Sequence, residues 1–153
     1  MAPSKTFNLP GFGCSFAIIS NPELRLRYKK ACAGIVPDPP AMGFTLAEAA
    51  YRHGEPWRQR LLHYLRANRN LALSRLGAIP GLFPFPVSAT YLLWIDARGL
   101  AVENPQKFFE EAGVGLSDGA DFGSPGFLRL NLGCTRALLE QALDRMEQAV
   151  GAR

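Results

Sequence analysis

The sequence predicts a mixed α/β chain. Short apolar runs at 13–20, 90–95 and 127–132 are bounded by turn residues and read as strands. Between them, apolar residues recur at helical spacing with charges on the opposite side. Proline and glycine clusters mark the joints.

Taken in order, residues Gly13 to Ser20 form a buried strand, and Asn21 caps a helix with Pro22 at its first position. Leu24, Tyr28, Ala31, Cys32 and Ile35 make that helix's apolar side, and the prolines at 37–40 end it. Thr45-Leu-Ala-Glu48 has the spacing of a capping box, which opens a helix to about Arg52. After His53-Gly54 a longer helix runs from Pro56 to near Gly77. Residues 79–86 (IPGLFPFP) read as a connector and Thr90 to Ile95 as a strand. Asn104-Pro105 caps a helix through Ala112, and a short strand follows at Val114 to Leu116. A glycine-rich loop occupies 117–126, Phe127 to Leu132 is strand-like, and Thr135 caps a final helix. That helix carries Leu138, Leu139, Ala142, Leu143, Met146 and Val150 on one face. From residue 87 the order is β-α-β-β-α, a layer of helices against a small sheet.

Composition narrows the function classes. With 153 residues, 48% hydrophobic and 20% charged, the chain can bury a real core. It has no apolar run of membrane-spanning length, and its first residues lack the pattern of a secretory signal, so the expected location is cytoplasmic, away from membranes. The net charge of +4 is spread among glutamates and apolar positions, without the basic patch that nucleic acid needs. Cys14, Cys32 and Cys134 are odd in number and lack ligand spacing, which predicts reduced, mostly buried thiols and no metal.

Few side chains are candidates for chemistry. Lys5, among small and aromatic residues, would be nucleophilic if desolvated, although a lysine near a terminus is usually a solvated surface group. Arg129 sits inside an apolar strand, where it either binds an anion or lies with Asn131 on a solvent face. The aspartates of the 117–126 loop lack calcium-site spacing, and His53 and His63 have no ligand partner nearby.

Several separated motifs nonetheless stand in one recognisable order. The run Ser4-Lys5-Thr6-Phe7-Asn8-Leu9 with glycines at 11 and 13, then GEPW (54–57), ATYLLWID (89–96) and VGLSDGADFGSPGFLRLNLGC (114–134), resembles the class I/II aminotransferases. In its SK-x-FN form the first run is similar to the PatB/MalY-type cystathionine β-lyases.

The resemblance implies the C-terminal portion of the fold of pyridoxal-phosphate-dependent transferases. Residues 1–44 would end the large cofactor-binding domain, 45–78 would be interdomain helices, and 79–153 would form an α+β small domain. It further implies Lys5 as the Schiff-base lysine, Ser4 beside it at the cofactor, and Arg129 as the anchor of the substrate α-carboxylate. The implied activity is a carbon–sulfur lyase on sulfur amino acids in a homodimer, with an aminotransferase or a catalytically incomplete remnant as alternatives. Complete members carry a further segment for the cofactor's phosphate and ring nitrogen, and no arginine follows Gly13 at the phosphate position used by many aminotransferases. The chain alone is therefore expected to self-associate and not to work as a holoenzyme.

Overall fold

The computed structural model describes residues 1–152. They form two compact units, one of Met1–Leu61 and one from Leu62 onward.

The first unit is helical. A single turn, α1 (Pro3–Thr6), starts on a buried proline that presets the helical φ. Helix α2 (Pro22–Cys32) is capped as expected, the Asn21 side chain accepting from the Leu24 amide at 3.0 Å. Its apolar residues are nevertheless exposed, and none of the helix is buried.

Two expectations fail in this unit. Helix α3 (Ala41–His53) begins four residues before Thr45, because Pro40, extended at φ −64° and ψ 153°, already sets its start. Thr45 therefore lies inside the helix and its hydroxyl donates back to the Ala41 carbonyl at 3.4 Å, so there is no capping box. Residues 13–20 are not a strand either. A strand exists only by pairing, and the described residues offer this segment no ladder. Its ties include a mutual pair with the first residue, the Met1 amine donating to the Phe16 carbonyl at 2.7 Å and the Phe16 amide to the Met1 carbonyl at 2.9 Å, and a bond from the Arg25 guanidinium to the Ile19 carbonyl at 2.9 Å.

Helix α4 (Glu55–Gly77) begins one residue earlier than its sequence signal. From Leu62 it belongs to the second unit, whose centre is a four-stranded antiparallel sheet. Its strands are β1 (Phe83–Pro84), β2 (Leu92–Asp96), β3 (Ser117–Asp118) and β4 (Phe127–Asn131), in the order β1-β2-β4-β3. The connector at 79–86 thus contains an edge strand, where Pro84 is tolerated because an edge leaves its missing donor unneeded. Gly81, at φ +87°, passes so close to Gly99 that a Cβ on it would stand 2.7 Å from the Gly99 backbone.

The short strand expected at 114–116 is displaced to Ser117–Asp118. Val114 donates instead to the Phe109 carbonyl at 2.8 Å, at the end of helix α5 (Pro105–Glu111), so the ladder with β4 starts only at Ser117. Asn104 caps α5 by accepting from Lys107, and Thr135 caps α6 (Arg136–Gly151) by accepting from Leu138.

Parity decides what the sheet buries. Leu93 and Ile95 of β2 and Leu128 and Leu130 of β4 point to one face, against Phe109 of α5 and Leu139, Leu143 and Met146 of α6. Ala72 and Leu76 of α4 join that core. Asn68 is its one buried polar residue among those described, and it is fully satisfied: it donates to the carbonyls of Leu132 and Cys134 and accepts from Arg136 Nε. No helix among the described residues is long and apolar enough to cross a membrane.

Candidate functional site

The other face of the sheet carries the candidate residues of the second unit. Trp94, Phe127 and Arg129 alternate with the core residues of β2 and β4, and the register sets Trp94 opposite Arg129. Trp94 stacks on Phe127 at a centroid distance of 5.9 Å, and Phe127 on Phe85 at 6.3 Å. Phe122 meets Trp94 edge-on at 5.9 Å. The result is a half-exposed aromatic surface with a cation at each end.

At one end Arg98 lies over Phe127, 4.8 Å from the ring centre, and is committed to Asp96 by bonds of 3.0 and 2.7 Å. That guanidinium holds the Asp96 carboxyl below its ordinary range. Arg129 stands at the other end. It is half-buried, its guanidinium carbon is 4.5 Å above the centre of the Phe122 ring, and it donates to Ser117 Oγ at 3.1 Å. Among the described residues no carboxylate pairs with it, so a planar fork of donors remains available to an anion. Arg129 shares the non-core face with Asn131, as one of the two readings of the sequence had it, and aromatic neighbours shelter it there.

Lys5 belongs to the first unit and Arg129 to the second. Lys5 lies on α1 with its side chain exposed, and among the described residues its amine has no hydrogen-bond or ion-pair partner. The turn that carries it is held by its neighbours. Phe7 packs edge-on against Tyr51 at 5.4 Å, and Gly54 leaves room for that ring, since a Cβ there would lie 2.8 Å from it. Ser4, half-buried, accepts the Leu9 amide through its carbonyl at 2.9 Å, and among the described residues its hydroxyl has no hydrogen-bond partner. An exposed primary amine can condense with an aldehyde, and the hydroxyl next to it in sequence can donate to or accept from a polar ligand.

The remaining candidates take structural roles. Asp118 caps the short 3-10 turn at Gly119–Phe122 by accepting from the Ala120 amide, and His53 and His63 are exposed. The three cysteines are half-buried, against the expectation of mostly buried thiols: Cys14 lies in the irregular 13–20 segment, Cys32 ends a helix that buries nothing, and Cys134 stands just before α6. Burial raises the Cys134 thiol above its ordinary value and keeps it protonated, unsuited to nucleophilic work. A cleft of about 310 Å³ between residues 113–115, the end of β4 and α6 includes Cys134 and Arg145 but not Arg129.

Sequence reasoning missed Ser117, Phe122 and Trp94 as neighbours of Arg129. Their alternation with apolar residues was visible for Trp94, whereas Phe122 reaches the site only through the 3-10 turn.

Comparison with known proteins bears on the family and the fold. Residues 3–146 match the family model for aminotransferase class I and II. The cystathionine beta-lyase PatB of Bacillus subtilis is 36% identical, with 97% of this chain and 40% of that protein covered, and protein MalY of Escherichia coli is 32% identical over the same shares. Among solved structures, that of OvoB superimposes with a TM-score of 0.97 at 47% identity, covering all of this chain and 40% of that one. Cystalysin from Treponema denticola, solved with a pyridoxal 5'-phosphate cofactor, gives 0.89 at 28% identity, over 99% of this chain and 40% of that one. The chain therefore belongs to the aminotransferase class I and II family, and it has the mixed helix-and-sheet fold of the corresponding part of those enzymes. It spans about 40% of the length of the relatives it matches.

Proposed function

We propose that this chain is the lysine- and arginine-bearing portion of a pyridoxal-phosphate-dependent carbon–sulfur lyase acting on sulfur amino acids of the cystathionine type. The observation that carries the reading is Arg129: a sheltered guanidinium with no carboxylate partner among the described residues, in a chain 36% identical to a cystathionine beta-lyase. When bound, the cofactor supplies an aldehyde for an amine and an electron sink for the charge left at the substrate's Cα.

The chain's own residues do the rest. Arg129 takes the α-carboxylate through two parallel N–H bonds, which fixes the rotation about the bond to Cα. Lys5 would hold the cofactor through Nζ, and the same amine, when not so engaged, would accept the Cα proton. Ser4 offers its hydroxyl to the cofactor. Loss of the β-sulfur as a thiol then leads, after hydrolysis, to pyruvate and ammonia.

In the same reading residues 1–44 end the cofactor domain, 45–78 link it, and 79–153 form the small domain of a cytoplasmic homodimer. Isolated from further cofactor-binding segments, the chain self-associates without turnover.

Borohydride reduction of the holoprotein followed by peptide mapping tests the lysine, with the pyridoxyl mass expected on the Lys5 peptide; finding it on Lys29, Lys30 or Lys107 would overturn the assignment. Thiol release from L-cystathionine, measured beside keto-acid exchange, tests the reaction. Exchange without thiol release would make it an aminotransferase, and neither activity in a protein that holds the cofactor would make it a remnant.

A further inference from the structure

The guanidinium of Arg129 is held on two sides by one short stretch of chain, residues 117–123. Ser117 stands opposite it across the β3–β4 ladder and accepts one of its N–H bonds. Phe122, five residues on, sets its ring against the group, with the guanidinium carbon 4.5 Å from the ring centre.

Backbone constraints bring these two together. Asp118 caps the 3-10 turn, Gly123 ends it at φ +75°, and Gly119 packs so tightly that a Cβ would stand 2.3 Å from the Ser124 carbonyl oxygen. Phe122 is fixed in turn by its edge contact with Trp94.

We infer that Phe122 and Ser117 are positioning residues for Arg129, setting the plane and the rotation of its guanidinium so that its remaining donors lie ready for a carboxylate. The inference rests on the proposed carboxylate role of Arg129, and it adds how the fork is prepared. A flexible arginine must lose side-chain freedom each time it binds, whereas a stacked and tethered one has already lost it. The stacking face excludes approach from one side, and the bond to Ser117 removes one of the five N–H donors. An incoming carboxylate therefore meets the donors that face neither Phe122 nor Ser117. The half-exposed Phe122 contributes here through its ring face and not through core packing, which is why an aromatic replacement is expected to substitute for it.

Guanidinium NMR of the protein labelled at arginine nitrogen is the first readout. Arg129 is expected to show slowed rotation about Nε–Cζ in the native protein and in Phe122→Tyr, and averaged signals in Phe122→Leu. The second readout is binding of L-alanine to the holoprotein, followed by its absorbance change. Phe122→Leu should weaken binding about tenfold and Ser117→Ala about threefold, with Phe122→Tyr within about twofold of native. Cofactor affinity should be unchanged in all three. Averaged signals in the native protein, or native binding in Phe122→Leu while Arg129→Lys is impaired, would overturn the positioning role alone. Native binding in Arg129→Lys would instead remove the carboxylate reading on which the inference rests.

Discussion

The two units use the same kinds of residue to opposite ends. In the second unit Leu93, Ile95, Phe109, Leu128 and Leu143 are fully buried in one continuous core. In the first, equally apolar residues stand in the open: Ile18 and Ile35 are each 80% exposed, with Leu24, Leu26 and Phe44 more than half exposed. Its buried residues are Pro3 and Gly43. Apolar patterning states that a face is to be covered, without stating by what. For α6 the covering sheet lies in the same unit; for α2 the described residues provide none.

The sharpest test of that contrast is amide hydrogen exchange. Amides of β2 and β4 should exchange only through global unfolding, whereas those of residues 14–20, apart from Phe16, should exchange orders of magnitude faster. Equal protection in both would break the comparison. Next in size is truncation of the core. Phe109→Ala should cost the second unit about 3–5 kcal/mol by urea unfolding, while Ile18→Ala should stay within about 0.5 kcal/mol.

A smaller effect is expected at Asn68, whose amide joins α4 to the chain between β4 and α6. Asn68→Ala leaves two buried carbonyls and Arg136 Nε without this partner and should cost about 1–3 kcal/mol. A neutral result would mean that water replaces the amide.

The smallest effect is acid sensitivity at the Asp96–Arg98 pair. The folded carboxyl titrates below its ordinary value near 3.8, so its contribution is complete above that value and is lost as pH falls through the lower folded one. Because Arg98 is largely exposed, the contribution is below about 1 kcal/mol. Asp96→Asn should flatten the dependence of stability on pH below about 4, and an unaltered acid limb would discount the pair.

What the sequence made legible follows the range of the interactions involved. Asn21, Asn104 and Thr135 act on amides within three residues, and each caps the helix start it marks. Thr45 carried the same local signal and was overruled by the prolines just before it. Residues 13–20 have every local property of a strand, but pairing depends on a partner that local pattern cannot supply. The site divides similarly. Arg129 stood out because a charge inside an apolar run demands an explanation, whereas Phe122 and Ser117 meet it through a register and a turn that no short window contains.

The parity of β4 has one more consequence, which joins the site to the fold. Slipping β4 by one residue against β2 would exchange its faces and drive the Arg129 guanidinium in among Leu93, Ile95 and Phe109, while Leu128 and Leu130 turned out to water. A bare charge there is intolerable, so the side chain offered to a carboxylate also polices the alignment of the strand that carries it. Misaligned copies of this sheet would be eliminated by their instability before they could present a misdirected arginine.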